Sequence, residues 1–146
     1  MKGKHAGKKN KQVRTGIKGL DKLLCGGVPK GSAVLLSGSP GSGKSILSTQ
    51  ILVNACNAKE RCLYVSFEET TADIIKQANA FGWPIEKYMQ NKSLKILSFD
   101  VLKDRDIIDR MFSTIKNHKI DIVIIDSLTA LQHTPSFLFE AERFDV

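Results

Sequence analysis

Eight consecutive residues, Gly38-Ser39-Pro40-Gly41-Ser42-Gly43-Lys44-Ser45, follow the spacing G-x-x-x-x-G-K-[S/T] in full. Glycines in such a loop let backbone N–H groups turn inward around phosphate oxygens, where a Cβ would intrude. The helix expected to start near Gly43 points the positive end of its dipole at the same anion. Lys44 has the reach to meet the β- and γ-phosphates, and the Ser45 hydroxyl suits a Mg²⁺ ion. The spacing therefore predicts a site for a magnesium–nucleoside triphosphate. The Asn/Thr-Lys-x-Asp pattern that reads guanine does not occur, which tilts the base toward adenine and the ligand toward ATP.

Three carboxylates complete the candidate chemistry. Asp126 follows the apolar run Ile120-Asp121-Ile122-Val123-Ile124-Ile125, and an acid at that end of a strand suits a second Mg²⁺ contact, usually through water. Asp121 competes for the role but stands at the start of the run, and so falls at the opposite edge. Glu68 and Glu69 follow the strand-like stretch Cys62-Leu63-Tyr64-Val65-Ser66-Phe67. They read either as solvated charges favourable to the start of the next helix, or as a source of one carboxylate that orients or deprotonates an attacking water. The candidate catalytic residues are thus Glu68, Glu69 and Lys44. Gly38 through Ser45 form the binding loop, and Ser45 and Asp126 are the candidate metal ligands.

These residues need elements to position them. Ala33-Leu36 is a short continuous apolar run, the mark of a strand buried on both faces. A helix is expected over 43–58, a strand over 62–67, and a helix capped by Thr70 or Thr71 that runs to Phe81 and stops at Gly82. A third strand is expected over 94–99. An amphipathic helix follows over 104–118, with Ile107, Ile108, Met111, Phe112 and Ile115 on one face, and then a fourth strand over 120–125. Upstream, Leu20, Leu23 and Leu24 mark one face of a brief helix ended by Gly26-Gly27. Strands alternating with helices imply an α/β fold, with a mostly parallel sheet covered by helices on both faces. The phosphate loop, the glutamate pair and Asp126 then share the carboxyl edge, where open α/β sheets bind ligands.

Composition bounds the partners. The 146 residues are 42% hydrophobic and 25% charged, a soluble globular balance. Lys2, Lys4, Lys8, Lys9, Lys11 and Arg14 carry nearly all of the net charge of +7, and the rest of the chain is close to neutral. Residues 1–12 therefore read as a disordered basic tail, either simply solvated or in contact with the phosphates of a nucleic acid. The tail holds no aromatic residue for base stacking. No apolar run is long enough for a membrane span and no signal peptide is evident, so the expected place is the cytoplasm without a membrane partner. Cys25, Cys56 and Cys62 read as reduced, mostly buried thiols, and His5, His118 and His133 share no ligand spacing with them.

Further residues carry a family likeness. Thr15-Gly16-Ile17, Gly19-Leu20-Asp21, Leu24, Gly26-Gly27, Pro29 and Gly31 precede the phosphate loop. Ser66-Phe67-Glu68-Glu69, Phe81-Gly82-Trp83 and Ile125-Asp126-Ser127 come after it. In this order and spacing, residues 13–130 resemble the KaiC-type ATPases of the RecA superfamily, with RadA-like recombinases as neighbours. The resemblance implies a RecA-like fold, ATP held between subunits of a ring or filament, and catalytic roles for Glu68 and Glu69. It also implies that the family domain continues past its aspartate strand, with a later strand inserted between the phosphate-loop strand and the aspartate strand. Residues 13–146 accordingly read as a partial KaiC/RecA-like ATP-binding domain, incomplete on its C-terminal side. The expected function is ATP binding with slow or assembly-dependent hydrolysis, acting as a nucleotide-driven switch through self-association or a related subunit. The alternatives are a RadA-like DNA-binding protein gated by ATP and a small P-loop kinase, whose Gly-x-x-Gly-x-Gly-Lys-Ser form residues 38–45 also fit.

Overall fold

The computed structural model describes residues 11–133, and the chain divides into two compact units that meet in sequence at Lys44 and Ser45. The basic residues 2–9 and the segment 134–146 lie outside the described residues.

In the N-terminal unit, β1 (Gln12–Val13) pairs antiparallel with β2 (Val28–Pro29) around the short helix α1 (Lys18–Leu23). The turn between β1 and α1 is held by one carboxylate. Asp21 accepts from the Thr15 amide at 2.8 Å, the Thr15 hydroxyl at 2.7 Å and the Gly16 amide at 3.2 Å. The Thr15 hydroxyl is the main reason that the Asp21 carboxyl sits below the usual carboxylate range. Gly27 is required where it stands, because a Cβ there would lie 2.4 Å from the Val13 carbonyl oxygen and its φ is +136°. Leu23, Leu24 and Cys25 are exposed, so the leucine face expected of α1 is not a buried one and Cys25 is not a buried thiol.

The expected strand at Ala33-Leu36 is absent. No ladder forms there, and Val34 and Leu35 are 69% and 79% exposed. A strand exists only with a partner for its N–H and C=O groups, and none of the described strands pairs with this run.

The C-terminal unit holds the sheet. Its parallel order is β4-β3-β5, formed by Leu94–Ser98, Cys62–Ser66 and Ile122–Asp126. Cys62 is opposite Leu94 on one side and Ile122 on the other, and Ser66 is opposite Ser98 and Asp126. Helix α2 (Lys44–Asn57), α3 (Thr71–Ala80) and α4 (Ile85–Gln90) contribute to one apolar cluster with Cys62 and Tyr64 of β3. The alternate residues Leu63 and Val65 join Phe67, Phe99 and three residues of α5 (Ile107–His118) in a second cluster. The two clusters follow from the period of two along a strand, and they make the expected parallel sheet with helices on both faces.

Local chemistry explains where boundaries moved. Helix α3 is fastened by a reciprocal box: the Thr70 side chain accepts from the Asp73 amide, and the Asp73 carboxylate accepts from Thr70. Helix α5 begins at Ile107 rather than at Asp104, because Asp104 spends its carboxylate on the Asp100 amide at 2.8 Å and on Arg110 at 3.3 Å. Ile107, Met111 and Ile115 pack inward, whereas Phe112 lies about 100° further round the helix and is exposed. Strand β5 starts at Ile122, since the Asp121 and Ile122 amides both donate to the Arg61 carbonyl at the strand entry. The six-residue α4, led by Pro84, and a 3₁₀ stretch over Leu128–His133 were not expected from the sequence.

Candidate functional site

The phosphate-type loop lies in the N-terminal unit as far as Lys44 and runs into α2. A Cβ on Gly38 would sit 2.7 Å from the Ser42 hydroxyl oxygen, so a side chain there would force Ser42 to move. Gly41 and Gly43 adopt φ of +77° and +87°, the left-handed region that glycine reaches without steric cost. The Lys44 ammonium folds back over this turn and donates to the Gly38 carbonyl at 2.9 Å and the Ser39 carbonyl at 3.0 Å. Lys44 is also the first residue of α2, and Ser45 stands in the same first turn. A cation, a helix N-terminus and a glycine-shaped turn in one short stretch suit a phosphate chain.

The acids lie in the C-terminal unit. Ser66 ends β3 fully buried, and its hydroxyl accepts from the Glu68 and Glu69 amides at 3.4 and 2.9 Å. That hydroxyl turns the chain sharply after the strand and sends the two glutamates apart. Glu68 is exposed and accepts from the Ser127 hydroxyl at 2.7 Å, so it faces the end of β5. Glu69 is half-buried and accepts from the Gln77 side chain of α3. The pair that looks equivalent in sequence is therefore divided, with Glu68 toward the strand end and Glu69 toward a helix.

Asp126 is the last residue of β5 and is half-buried, next to a cis peptide to Ser127. Its backbone carbonyl accepts from the Phe67 amide at 3.0 Å, which brings β5 alongside the glutamate turn. Its carboxylate Oδ2 accepts from the Tyr64 hydroxyl at 2.7 Å. Burial, followed by the Asp126 partner, pushes the Tyr64 phenol far above its ordinary range, so it stays protonated and remains a donor. Asp121, the competing acid, is at the opposite end of the sheet and accepts from the Arg61 amide at 3.1 Å.

Glu68, Ser127 and Asp126 are thus gathered at one carboxyl edge. Sequence reasoning missed Tyr64, Gln77 and the tie from Ser127 to Glu68. Strand alternation does place Tyr64 on the face of Ser66, two residues away. Nothing in the spacing shows that β5 pairs alongside with Asp126 in reach.

A Mg²⁺ ion prefers hard oxygen donors and keeps several waters, so it is commonly held by one or two protein groups plus phosphates. The donors present fit that pattern: a hydroxyl at Ser45, a carboxylate at Asp126, and no cluster of three or more His, Cys, Asp or Glu among the described residues that would make an all-protein cage. No helix among the described residues is long and apolar enough to cross a membrane.

Comparison with known proteins adds a family. A family model described as the KaiC ATPase matches residues 13–139. The circadian clock oscillator protein KaiC of Prochlorococcus marinus subsp. pastoris is 36% identical over 146 aligned residues, which cover 91% of this chain and 29% of that protein. A UPF0273 protein of Pyrococcus furiosus is 34% identical, covering 83% of this chain and 56% of its own length. A UPF0273 protein of Thermotoga maritima is 29% identical, covering 91% and 64%. The chain therefore spans under a third of the clock protein and little more than half of the Pyrococcus relative.

Proposed function

The chain belongs to the KaiC ATPase family, and from that premise we propose that it binds ATP with Mg²⁺, hydrolyses it slowly or only within an assembly, and serves as a nucleotide-driven switch. It is a small RecA-like α/β domain of the P-loop nucleotide-binding kind. The observation that carries the proposal is the loop Gly38–Ser45, whose left-handed glycines and inward-folded Lys44 have the form a phosphate chain needs.

In this reading the loop amides and Lys44 hold the phosphates, and Ser45 and Asp126 hold the metal. Bound Mg²⁺ supplies positive charge to the β- and γ-phosphate oxygens. Glu68 is the better candidate of the two glutamates to orient or deprotonate water, because it is exposed and aimed by Ser127, whereas Glu69 is engaged with α3. Self-association fits the outer strand β5, where Val123 and Ile125 stay more than a third exposed. Apolar surface of that kind on an outer strand favours cover by another chain. The DNA-binding alternative rests on the basic tail, of which Lys2, Lys4, Lys8 and Lys9 lie outside the described residues, and the kinase alternative rests on the form of residues 38–45 alone.

Calorimetric titration with Mg-ATP and a phosphate-release assay test the reading. Lys44→Ala is expected to lose binding. Glu68→Gln is expected to keep binding and lose turnover, while Glu69→Gln loses less. Wild-type binding no tighter than that of Lys44→Ala would sink the proposal, and equal turnover in wild type and Glu68→Gln would remove Glu68 from it.

A further inference from the structure

We propose that Tyr64 is a positioning residue for the carboxylate of Asp126, and that Thr49 steadies it from helix α2. The inference rests on the reading that Asp126 helps to hold the metal. Tyr64 is 1% exposed and heads the largest side chains that the fold buries completely. Its ring belongs to the cluster that contains Leu52, Cys56 and Ile74, so rotation is blocked by packing on the helix side. Its one side-chain polar atom donates to Asp126 Oδ2 at 2.7 Å.

The register explains how the contact arises. Tyr64 is opposite Ile124, and Asp126 is two residues further along the same face of β5. A long aromatic side chain reaches such a diagonal neighbour, whereas a short one does not. A phenylalanine would fill the same space. The hydroxyl therefore adds a directed contact rather than volume, occupying Oδ2 and leaving Oδ1 as the carboxylate's other acceptor.

Thr49 extends the contact toward the phosphate loop's helix. It is buried on α2, and it lines the same small cavity as Tyr64. It also stands four residues after Ser45, which puts both on one face of α2 about a turn apart. Thr49, Tyr64 and Asp126 thus form a line of side chains from the helix that carries one candidate metal ligand to the strand that carries the other. Such outer groups orient the ligands that touch a metal, and their loss commonly weakens metal binding by about tenfold or more.

Mn²⁺ serves as the probe, followed by electron paramagnetic resonance in the presence of ATP. Binding of ATP in chelator and the thermal midpoint of the free protein are measured alongside. Tyr64→Phe is expected to weaken Mn²⁺ binding about tenfold while metal-free ATP binding and the midpoint stay at wild-type values. Thr49→Val shifts Mn²⁺ affinity in the same direction by less, and it carries the test if Tyr64→Phe does not fold. Unchanged Mn²⁺ affinity in these variants overturns the proposal. So does an equal loss of metal-free ATP binding, or a fall in midpoint that accounts for the change, since either marks a purely structural role. Asp126→Asn separates the two levels: if it weakens Mn²⁺ binding and Tyr64→Phe does not, the metal reading stands and Tyr64 has no part in it. If Asp126→Asn has no effect, both fall together.

Discussion

Ala33-Leu36 and Cys62–Ser66 are both short, apolar, and followed at once by residues with chemical promise, yet they meet opposite fates. Cys62–Ser66 is buried at every position between two parallel partners, with helices over both of its faces. Ala33-Leu36 forms no ladder and is exposed throughout. Hydrophobicity is the same in kind. What differs is whether another strand offers hydrogen-bond partners at the right register and whether helices cover the faces. An apolar run specifies a wish to be buried, and neighbours grant it.

The largest test of that contrast is a pair of leucine truncations. Leu63→Ala in β3 removes a fully buried side chain and is expected to cost about 2–5 kcal/mol in urea unfolding. Leu35→Ala, at a residue 79% exposed, should change stability by less than about 0.5 kcal/mol. Comparable losses at the two sites would show that Leu35 is buried in solution, and the contrast would collapse.

A gentler probe uses the cysteines that flank the same two regions. Cys25 is exposed, whereas Cys56 and Cys62 are buried. The Cys56 thiol beside it, and then burial, hold the Cys62 thiol far above the ordinary thiol range, which keeps it in the unreactive form. Titration of the native protein with a thiol reagent should therefore label one cysteine promptly and the other two only on unfolding. Prompt reaction at all three would mean that the helix-covered face of β3 opens readily.

The smallest effect belongs to the turn at Asp21. The Thr15 hydroxyl holds its folded carboxyl below the ordinary aspartate value, so the charged form is favoured by folding. The stabilisation is present above that value and is lost as pH falls through the folded pKa. Amide exchange at Thr15 and Gly16 should accelerate, beyond the intrinsic pH trend, below about pH 3.8. Asp21→Asn should remove this additional acceleration. The exchange in β3 should show no matching step, and a common step in both regions would mean that the N-terminal turn and the sheet unfold as one.

Much of the fold was legible because it rests on local rules. Alternation and apolar runs located β3, β4 and β5 within a residue or two, and Thr70 or Thr71 as a cap located the start of α3. Where a boundary moved, a particular hydrogen-bond partner decides. Asp104 was spent on the Asp100 amide, which delayed α5, and Arg61 captured the amides at the start of β5. Helix α4 was missed because six residues carry too little periodicity to stand out.

The sequence by itself determined the glycine pattern of Gly38–Ser45, the acids at strand ends and the α/β alternation, because spacing and residue type suffice for each. Only the tertiary structure decided how the acids are used. Parallel pairing of β3 with β5 set Asp126 opposite Ser66 and within reach of Tyr64. The buried Ser66 hydroxyl turned Glu68 toward Ser127 and Glu69 toward Gln77. The contacts of Tyr64 with Asp126 and of Ser127 with Glu68 join residues about 60 positions apart in the chain, and their geometry depends on strand register, which no local pattern of residue types encodes.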